Sequence, residues 1–158
     1  MKPILLATDG SPSAAEATKK AIDLAQAYGA PLVVATIWEI SYEPVGLAFG
    51  SIVPDLDNVG RDQALAIADR AAAEARDTGI EVETIVRRGV APHEICQIAR
   101  SHDAQLIVLG SHGWGAFRRV LFGSVSTAVL HGAQVPVLVV PSRVVAAKVA
   151  AERGKVEA

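Results

Sequence analysis

The most informative stretch of the chain is residues 106–126, which read Leu-Ile-Val-Leu-Gly-Ser-His-Gly-Trp-Gly-Ala-Phe-Arg-Arg-Val-Leu-Phe-Gly-Ser-Val-Ser. It opens with Leu106–Leu109, a short apolar run that is typical of a buried β-strand. Residues 125–132 then have the pattern of a helix. The stretch therefore predicts a glycine-rich connection between the end of a strand and the start of a helix.

The glycines and serines of this connection favour a phosphate site. Gly110 and Gly113 lack a Cβ atom, so the backbone there can approach a ligand closely. Gly123 opens the helix, with Ser124 and Ser126 beside it. The N–H groups of a first helical turn point outward and carry the positive end of the helix dipole, which attracts phosphate. The alternative is a flexible connection that binds nothing.

The spacing of these residues is specific. Gly110 is followed by two residues and Gly113, and then by nine residues and the pair Gly123-Ser124. This pattern resembles the glycine signature of the universal stress protein family, in its ATP-binding branch. The resemblance extends over about residues 1–141, for which we expect one domain, and leaves residues 142–158 as a C-terminal tail.

Composition bounds the class of protein. The 158 residues are 51% hydrophobic and 20% charged, which fits a compact globular domain with one core. The net charge is −2 and no block of like charges occurs, so we expect neither a nucleic-acid nor a membrane partner. Residues 1–9 resemble neither a signal peptide nor a membrane span, and we expect a cytoplasmic protein.

Strand and helix patterns alternate along the chain. The predicted strands are Ile4–Ala7, Leu32–Trp38, Ile80–Arg87, Leu106–Leu109 and Val135–Val140. The predicted helices run from Ser11 or Ser13 as cap to Gly29, from Val59 to Thr78, from Pro92 onward, and from Val125 to about His131. Partial alternation of apolar and polar residues makes the third strand an edge strand.

This alternation predicts an α/β domain with a mostly parallel sheet. The resemblance implies a single-domain, open, doubly wound parallel five-stranded sheet of Rossmann-like, adenine nucleotide alpha hydrolase-like type, in the order 3-2-1-4-5. Ligands of such sheets bind beyond the carboxyl ends of the strands, where the winding direction reverses. Asp9 and Gly110 should then be neighbours.

The resemblance also implies where ATP binds. Asp9 corresponds to an acid near the ribose and phosphates, where a carboxylate accepts hydrogen bonds or helps to hold a metal; on the residues alone, Asp9 could instead cap the first helix. Ile37 corresponds to a position whose backbone meets adenine. Mg²⁺ or further hydrogen-bond donors would help to balance the negative charge of the triphosphate. The implied ATP-binding residues are Ala7, Thr8, Asp9, Ile37, Leu109, Gly110, His112, Gly113, Gly123, Ser124, Val125 and Ser126.

No catalytic or metal-ligating set can be assigned from the sequence. The chain lacks a Gly-x-x-x-x-Gly-Lys-Ser/Thr loop, and His93-Glu94 lacks the second histidine of a zinc helix. We therefore expect a regulatory stress-response protein that binds an adenine nucleotide and acts on a protein partner. The alternatives are a slow ATP-hydrolysing or self-phosphorylating enzyme of this fold, and a nucleotide-free protein that binds partners.

Two further expectations concern assembly and the long loop. Val137–Val140 would leave an apolar strand at the edge of the sheet, and edges of this kind invite pairing. The resemblance implies a two-fold homodimer through this strand, whereas a covered edge in a monomer is the alternative. Residues 39–58 are a long loop that either closes over a ligand or forms a surface excursion.

Overall fold

The fold alternates strands and helices from end to end. A computed structural model of the chain describes residues 1–39, 56–112 and 122–141. The elements are β1 (Ile4–Ala7), α1 (Pro12–Tyr28), β2 (Leu32–Trp38), α2 (Leu56–Arg76), β3 (Val82–Arg88), α3 (Ala91–Ser101), β4 (Leu106–Gly110), α4 (Ser124–Gly132) and β5 (Val137–Val140). Gly113, most of the long loop predicted at 39–58 and the predicted tail at 142–158 lie outside the described residues.

The five strands form one parallel sheet in the order β3-β2-β1-β4-β5. This confirms the predicted fold class, and it confirms β3 as an edge strand. β1 lies at the centre, with Ala7 opposite Ala35 of β2 on one side and Leu109 of β4 on the other. No helix in the described part of the chain is long and apolar enough to cross a membrane.

Both faces of the sheet are buried, because alternate residues of each strand point to opposite sides. Ile4 and Leu6 of β1 pack in one cluster with α1 and α2. Leu5 and Ala7 pack in a second cluster with α3 and α4. Small residues allow close packing of helix on sheet, and the buried side of α2 is formed by Ala64, Ala68, Ala71, Ala72 and Ala75.

The start of α1 is fixed by a local cap. Ser11 is the N-cap residue, its hydroxyl accepts a hydrogen bond from the Ala14 N–H at 3.3 Å, and Pro12 occupies the first turn. Of the two predicted caps, Ser11 is therefore the one used. The helix ends before Gly29 as predicted, and Tyr28, its last residue, is 51% exposed.

Several predicted boundaries differ from the observed ones. α2 begins at Leu56 instead of Val59, and it ends at Arg76 because Thr78 and Gly79 form tighter i to i+3 bonds. β3 begins at Val82 instead of Ile80, because its ladder to β2 starts with the bond from the Leu32 N–H to the Glu81 carbonyl. β5 begins after Pro136, which has no N–H to donate.

Candidate functional site

A cleft of about 460 Å³ opens at the carboxyl ends of β1, β2 and β4. This is where a doubly wound sheet places its ligand, because β1 and β4 are the neighbouring strands at which the winding reverses. The described residues that line the cleft are Ala7, Thr8, Asp9, Ser11, Ala14, Ala35, Ile37, Ala91, Ile95, Leu109, Gly110, Ser111, His112, Phe122, Gly123, Ser124, Val125 and Ser126.

The cleft brings the predicted site residues together. Every residue that we assigned to the ATP site lines it, apart from Gly113, which lies outside the described residues. Asp9 follows β1 and Gly110 ends β4. Because these strands pair directly, the two residues are neighbours at the carboxyl end of the sheet, as predicted. Ile37 comes from the end of β2 and forms the side of the cleft nearer α3.

Asp9 supports the turn between β1 and α1. One of its carboxylate oxygens, Oδ1, accepts a hydrogen bond from the Ser11 N–H at 2.9 Å. The helix itself is capped by Ser11, so the alternative that Asp9 is the cap residue is wrong. Asp9 is the only carboxylate that lines the described part of the cleft. Carboxylate oxygens accept strong hydrogen bonds and can bind cations, so Asp9 gives the described cleft its one anionic side chain.

The N-terminus of α4 lies at the cleft with unused donors. Gly123 is the N-cap residue and contributes no side-chain cap, and the first intrahelical bond runs from the Thr127 N–H to the Gly123 carbonyl at 3.0 Å. Within the described residues, no acceptor is found for the backbone N–H groups of residues 124–126. These groups carry the positive end of the helix dipole and are suited to an anion.

Gly110 has a second role besides bordering the cleft. Its φ is not positive, so it needs no unusual backbone conformation. A Cβ atom at Gly110 would lie 2.7 Å from the carbonyl carbon of Ser13 and 2.8 Å from the nitrogen of Ala14. The backbone of β4 thus approaches the first turn of α1, and glycine is needed to admit that helix as well as to border the cleft.

Several site residues were missed by sequence reasoning. Ser11 and Ser111 line the cleft between the predicted residues, and each is almost completely buried. Ala91 and Ile95 add an apolar wall from the first turns of α3. The sequence could have predicted this wall from the helix start at Pro92. A helix that follows β3 begins at the carboxyl ends of the strands, which is the side of the sheet where ligands bind.

The wall formed by α3 is held by charged residues. Glu39 Oε1 accepts a hydrogen bond from the Ala91 N–H at 3.0 Å and so caps α3 from the end of β2. Glu94 pairs with Arg87 at 3.2 Å and with His93 Nδ1 at 3.1 Å. The hydrogen bond with His93, followed by the bond with Arg87, lowers the pKa of Glu94, although desolvation opposes the shift.

The site contains no built metal centre within the parts of the chain that are described. Across residues 1–39, 56–112 and 122–141, no group of three or more His, Cys, Asp or Glu side chains is placed to hold a metal ion. A cation at the cleft would therefore take most of its ligands from the bound molecule and from water, as Mg²⁺ does with phosphates.

Fold and cleft together define an α/β protein of the doubly wound class, with a cleft at the switch point of its sheet. The family model described as "Universal stress protein family" matches residues 1–141. The chain belongs to the universal stress protein family.

Known proteins show the same relationship. The chain is 38% identical over 141 residues to universal stress protein Rv2005c of Mycobacterium tuberculosis, a match that covers 87% of this chain and 44% of that protein. The chain thus spans less than half the length of this relative.

Solved structures share the fold. That of the hypothetical protein MJ0577 superposes with a TM-score of 0.75 at 26% identity, over 89% of this chain and 95% of that one. A universal stress protein solved in complex with cAMP gives a TM-score of 0.67 at 25% identity, over 89% of this chain and 97% of that one.

Proposed function

We propose that this chain is an ATP-binding regulatory protein whose nucleotide state is read by a protein partner. The observation that carries the proposal is the cleft at the switch point, which is lined both by the N-terminus of α4, without a side-chain cap, and by Asp9. The structural neighbour solved in complex with cAMP supports an adenine nucleotide as the ligand. The proposed domain is residues 1–141.

The two ends of the cleft differ in chemistry, and this gives the nucleotide an orientation. The end formed by β2 and α3 is apolar, with Ala35, Ile37, Ala91 and Ile95, and suits a flat base. The other end contains the first turn of α4 with its free N–H groups and the hydroxyl of Ser124, and suits phosphates. Asp9 follows β1, the strand between β2 and β4, and we assign it to the ribose.

The phosphate end needs help from the ligand's own cation. Each charge at a helix N-terminus gains about 0.3 to 1 kcal/mol, which is modest for a triphosphate. Mg²⁺ bound by the phosphates would reduce that charge, and Asp9 is the carboxylate that lines the described cleft. The chain's own contribution is to orient the phosphates and to supply main-chain donors.

The direct test is titration calorimetry of the purified chain with ATP, ADP, AMP, cAMP and adenosine, with and without Mg²⁺. We expect ATP to bind and affinity to change with the number of phosphates. Absence of binding by every one of these compounds would overturn the proposal. Release of inorganic phosphate from ATP well above the rate in buffer would instead support the slow enzyme.

A matched pair of variants at Ser124 tests the phosphate end. Ser124 is exposed at the first position of α4, so Ser124→Asp places a carboxylate where the phosphates would lie, yet an acid there suits the helix dipole and should preserve the fold. We expect ATP affinity to fall about tenfold or more, because a like-charge pair at roughly 4 Å costs about 1 to 4 kcal/mol at the dielectric of water or a protein surface.

Ser124→Asn is the control, since it changes the size of the side chain without adding charge. We expect it to bind ATP within about threefold of the parent chain. Equal ATP affinity for the Asp variant and the Asn variant would count against phosphates at the α4 N-terminus. A loss that is as large for adenosine as for ATP would also contradict this orientation, because adenosine has no phosphate.

We also propose that the chain is a homodimer joined through β5. The apolar strand Val137–Val140 ends the sheet, and all four of its residues are partly exposed. The ladder bonds to β4 use the carbonyls of Pro136 and Val140. In a parallel ladder the N–H and C=O groups of Val137 and Val139 therefore point away from β4, towards an added strand.

A further inference from the structure

The peptide unit between Ser111 and His112 connects the first turns of α1 and α4. We propose that Ser13 and Ser126 are positioning residues that act through this peptide and set the phosphate end of the cleft against the β1 turn. The inference rests on the proposed nucleotide site. It assigns to two buried hydroxyls a role in the shape of the site, distinct from contact with the ligand.

On the α1 side, two serine hydroxyls form hydrogen bonds with the backbone of His112. The His112 N–H donates to Ser13 Oγ at 3.2 Å, and Ser13 Oγ donates in turn to the His112 carbonyl. Ser11 Oγ donates to the same carbonyl at 3.2 Å while it caps α1. Ser13 is 3% exposed and does not line the cleft, so its bonds are internal to the protein.

On the α4 side, the Ser111 carbonyl of the same peptide unit accepts two hydrogen bonds. The Gly123 N–H donates to it at 2.6 Å, and Ser126 Oγ donates to it at 3.1 Å. Ser126 Oγ also lies 3.0 Å from the Gly123 carbonyl, so protein acceptors already occupy its proton. A hydroxyl committed in this way cannot donate to a phosphate, although the side chain is part of the cleft wall.

The geometry fixes the relative position of three parts of the site. Ser111 is bound to β5 through its own N–H and the Val140 carbonyl at 2.9 Å, and the peptide that follows it is bound to α1 through Ser13 and to α4 through Ser126 and Gly123. Gly110, just before this peptide, also lies in close contact with the backbone of the first turn of α1. Removal of one hydroxyl should therefore let the α4 N-terminus shift relative to Asp9, and a misplaced donor set binds less tightly.

The test compares ATP with adenosine in Ser13→Ala. The apolar end of the cleft has no bond to Ser13, so we expect the Kd for adenosine to stay within about twofold, while the Kd for ATP rises about tenfold. Titration calorimetry measures both constants, and urea unfolding without ligand measures stability. Ser126→Ala is the second variant, and it is milder because Gly123 keeps its own bond to the Ser111 carbonyl.

Thr18→Ala is the matched control. Thr18 is a buried residue of α1, also 3% exposed, whose hydroxyl donates to the Ala14 carbonyl of its own helix at 2.9 Å. We expect it to lose stability as Ser13→Ala does, without any change in the ratio of the two dissociation constants. A general loss of stability does not change the ratio of the dissociation constants for ATP and adenosine.

The outcomes separate the positioning role from the proposed function. If the parent chain binds neither ATP nor adenosine, both proposals are overturned. If the parent chain binds ATP and both serine variants keep the parent ratio of ATP to adenosine affinity, the positioning role alone is overturned. An equal weakening of ATP and adenosine, or the same change of ratio in Thr18→Ala, would show a merely structural role and would also overturn it.

Discussion

The absence of a Cβ atom at Gly110 allows β4 and α1 to pack closely beside the site. A methyl group there would meet the backbone of Ser13 and Ala14 at distances below 3 Å, and a backbone cannot move aside as a flexible side chain can. We expect Gly110→Ala to lower the free energy of unfolding by about 1 to 3 kcal/mol or more, through overpacking between β4 and α1. Urea or thermal unfolding followed by circular dichroism measures this loss.

Gly132→Ala provides the comparison at a glycine with room. Its added Cβ would lie 3.5 Å from Cys96 Sγ, an ordinary contact, and the residue is the last of α4. We expect this variant to be neutral or slightly stabilising, because alanine favours helix over glycine by up to about 1 kcal/mol. Equal stability of the two alanine variants would show that β4 and α1 are not in the close contact described.

At this scale the sequence predicted most of the cleft, because the glycine signature and the Asp9 segment are local patterns. It did not predict Ser13. The partner of Ser13 is His112, 99 residues away along the chain, and no local pattern reports that a serine in a first helical turn faces a carbonyl of the connection after β4. Gly110 was predicted at the right place with an incomplete reason, since the absence of a Cβ fits a ligand and a packed helix equally well.

At the scale of elements, α3 shows how charges hold one wall of the cleft. Glu94 sits in the first turn of α3 and pairs with His93 and with Arg87 of β3. Gly89, at φ +154°, makes room for it, because a Cβ there would lie 2.8 Å from Glu94 Cγ. The turn between β3 and α3 is thus shaped around this carboxylate.

The lowered pKa of Glu94 predicts a pH dependence of stability. A carboxyl group with a lower pKa in the folded state stabilises the fold above its ordinary value of 4.5, and this contribution is lost as the pH falls through the lowered value. We expect Glu94→Gln to be less stable than the parent chain near neutral pH, and the difference to shrink below pH 4.5.

Urea unfolding of both proteins at a series of pH values measures this difference. Glu74→Gln, at an exposed position of α2, controls for the loss of one negative charge. A difference between parent and Glu94→Gln that stays constant as the solution is acidified would contradict the prediction. A greater stability of Glu94→Gln near neutral pH would contradict it as well.

The boundaries of elements were predicted less well than their existence. Apolar runs identified β1, β2, β4 and β5, because strands inside a parallel sheet need continuous apolar residues, whereas partial alternation identified β3. The start of β5 was placed at Val135, although its ladder begins only after Pro136, and the start of β3 depended on where β2 offered its first N–H. Such limits are set by the partner strand and are not encoded in the strand itself.

For the whole molecule, alternation of strands and helices predicted a parallel sheet but not its order. The order β3-β2-β1-β4-β5 came from the family resemblance, because nothing in the residues of β4 says that it pairs with β1 instead of β3. The order is nevertheless what makes the cleft, since it brings Asp9 beside Gly110. It also leaves two edges, β3 and β5, of which only β5 is continuously apolar.

The proposed dimer can be tested at one backbone group of the β5 edge. Because the N–H of Val139 points away from β4, Val139→Pro removes an edge donor without removing a bond of the sheet, and proline is tolerated at such positions. We expect this variant to be monomeric in sedimentation velocity at concentrations where the parent chain is dimeric.

Thr84→Pro is the matched control on the opposite edge: its N–H points away from β2 in the same way, so the dimer should persist. A parent chain that is monomeric, or a Val139→Pro variant that remains dimeric, would exclude pairing through β5. Calorimetry with ATP on both proline variants then shows whether nucleotide binding in the cleft depends on the dimer.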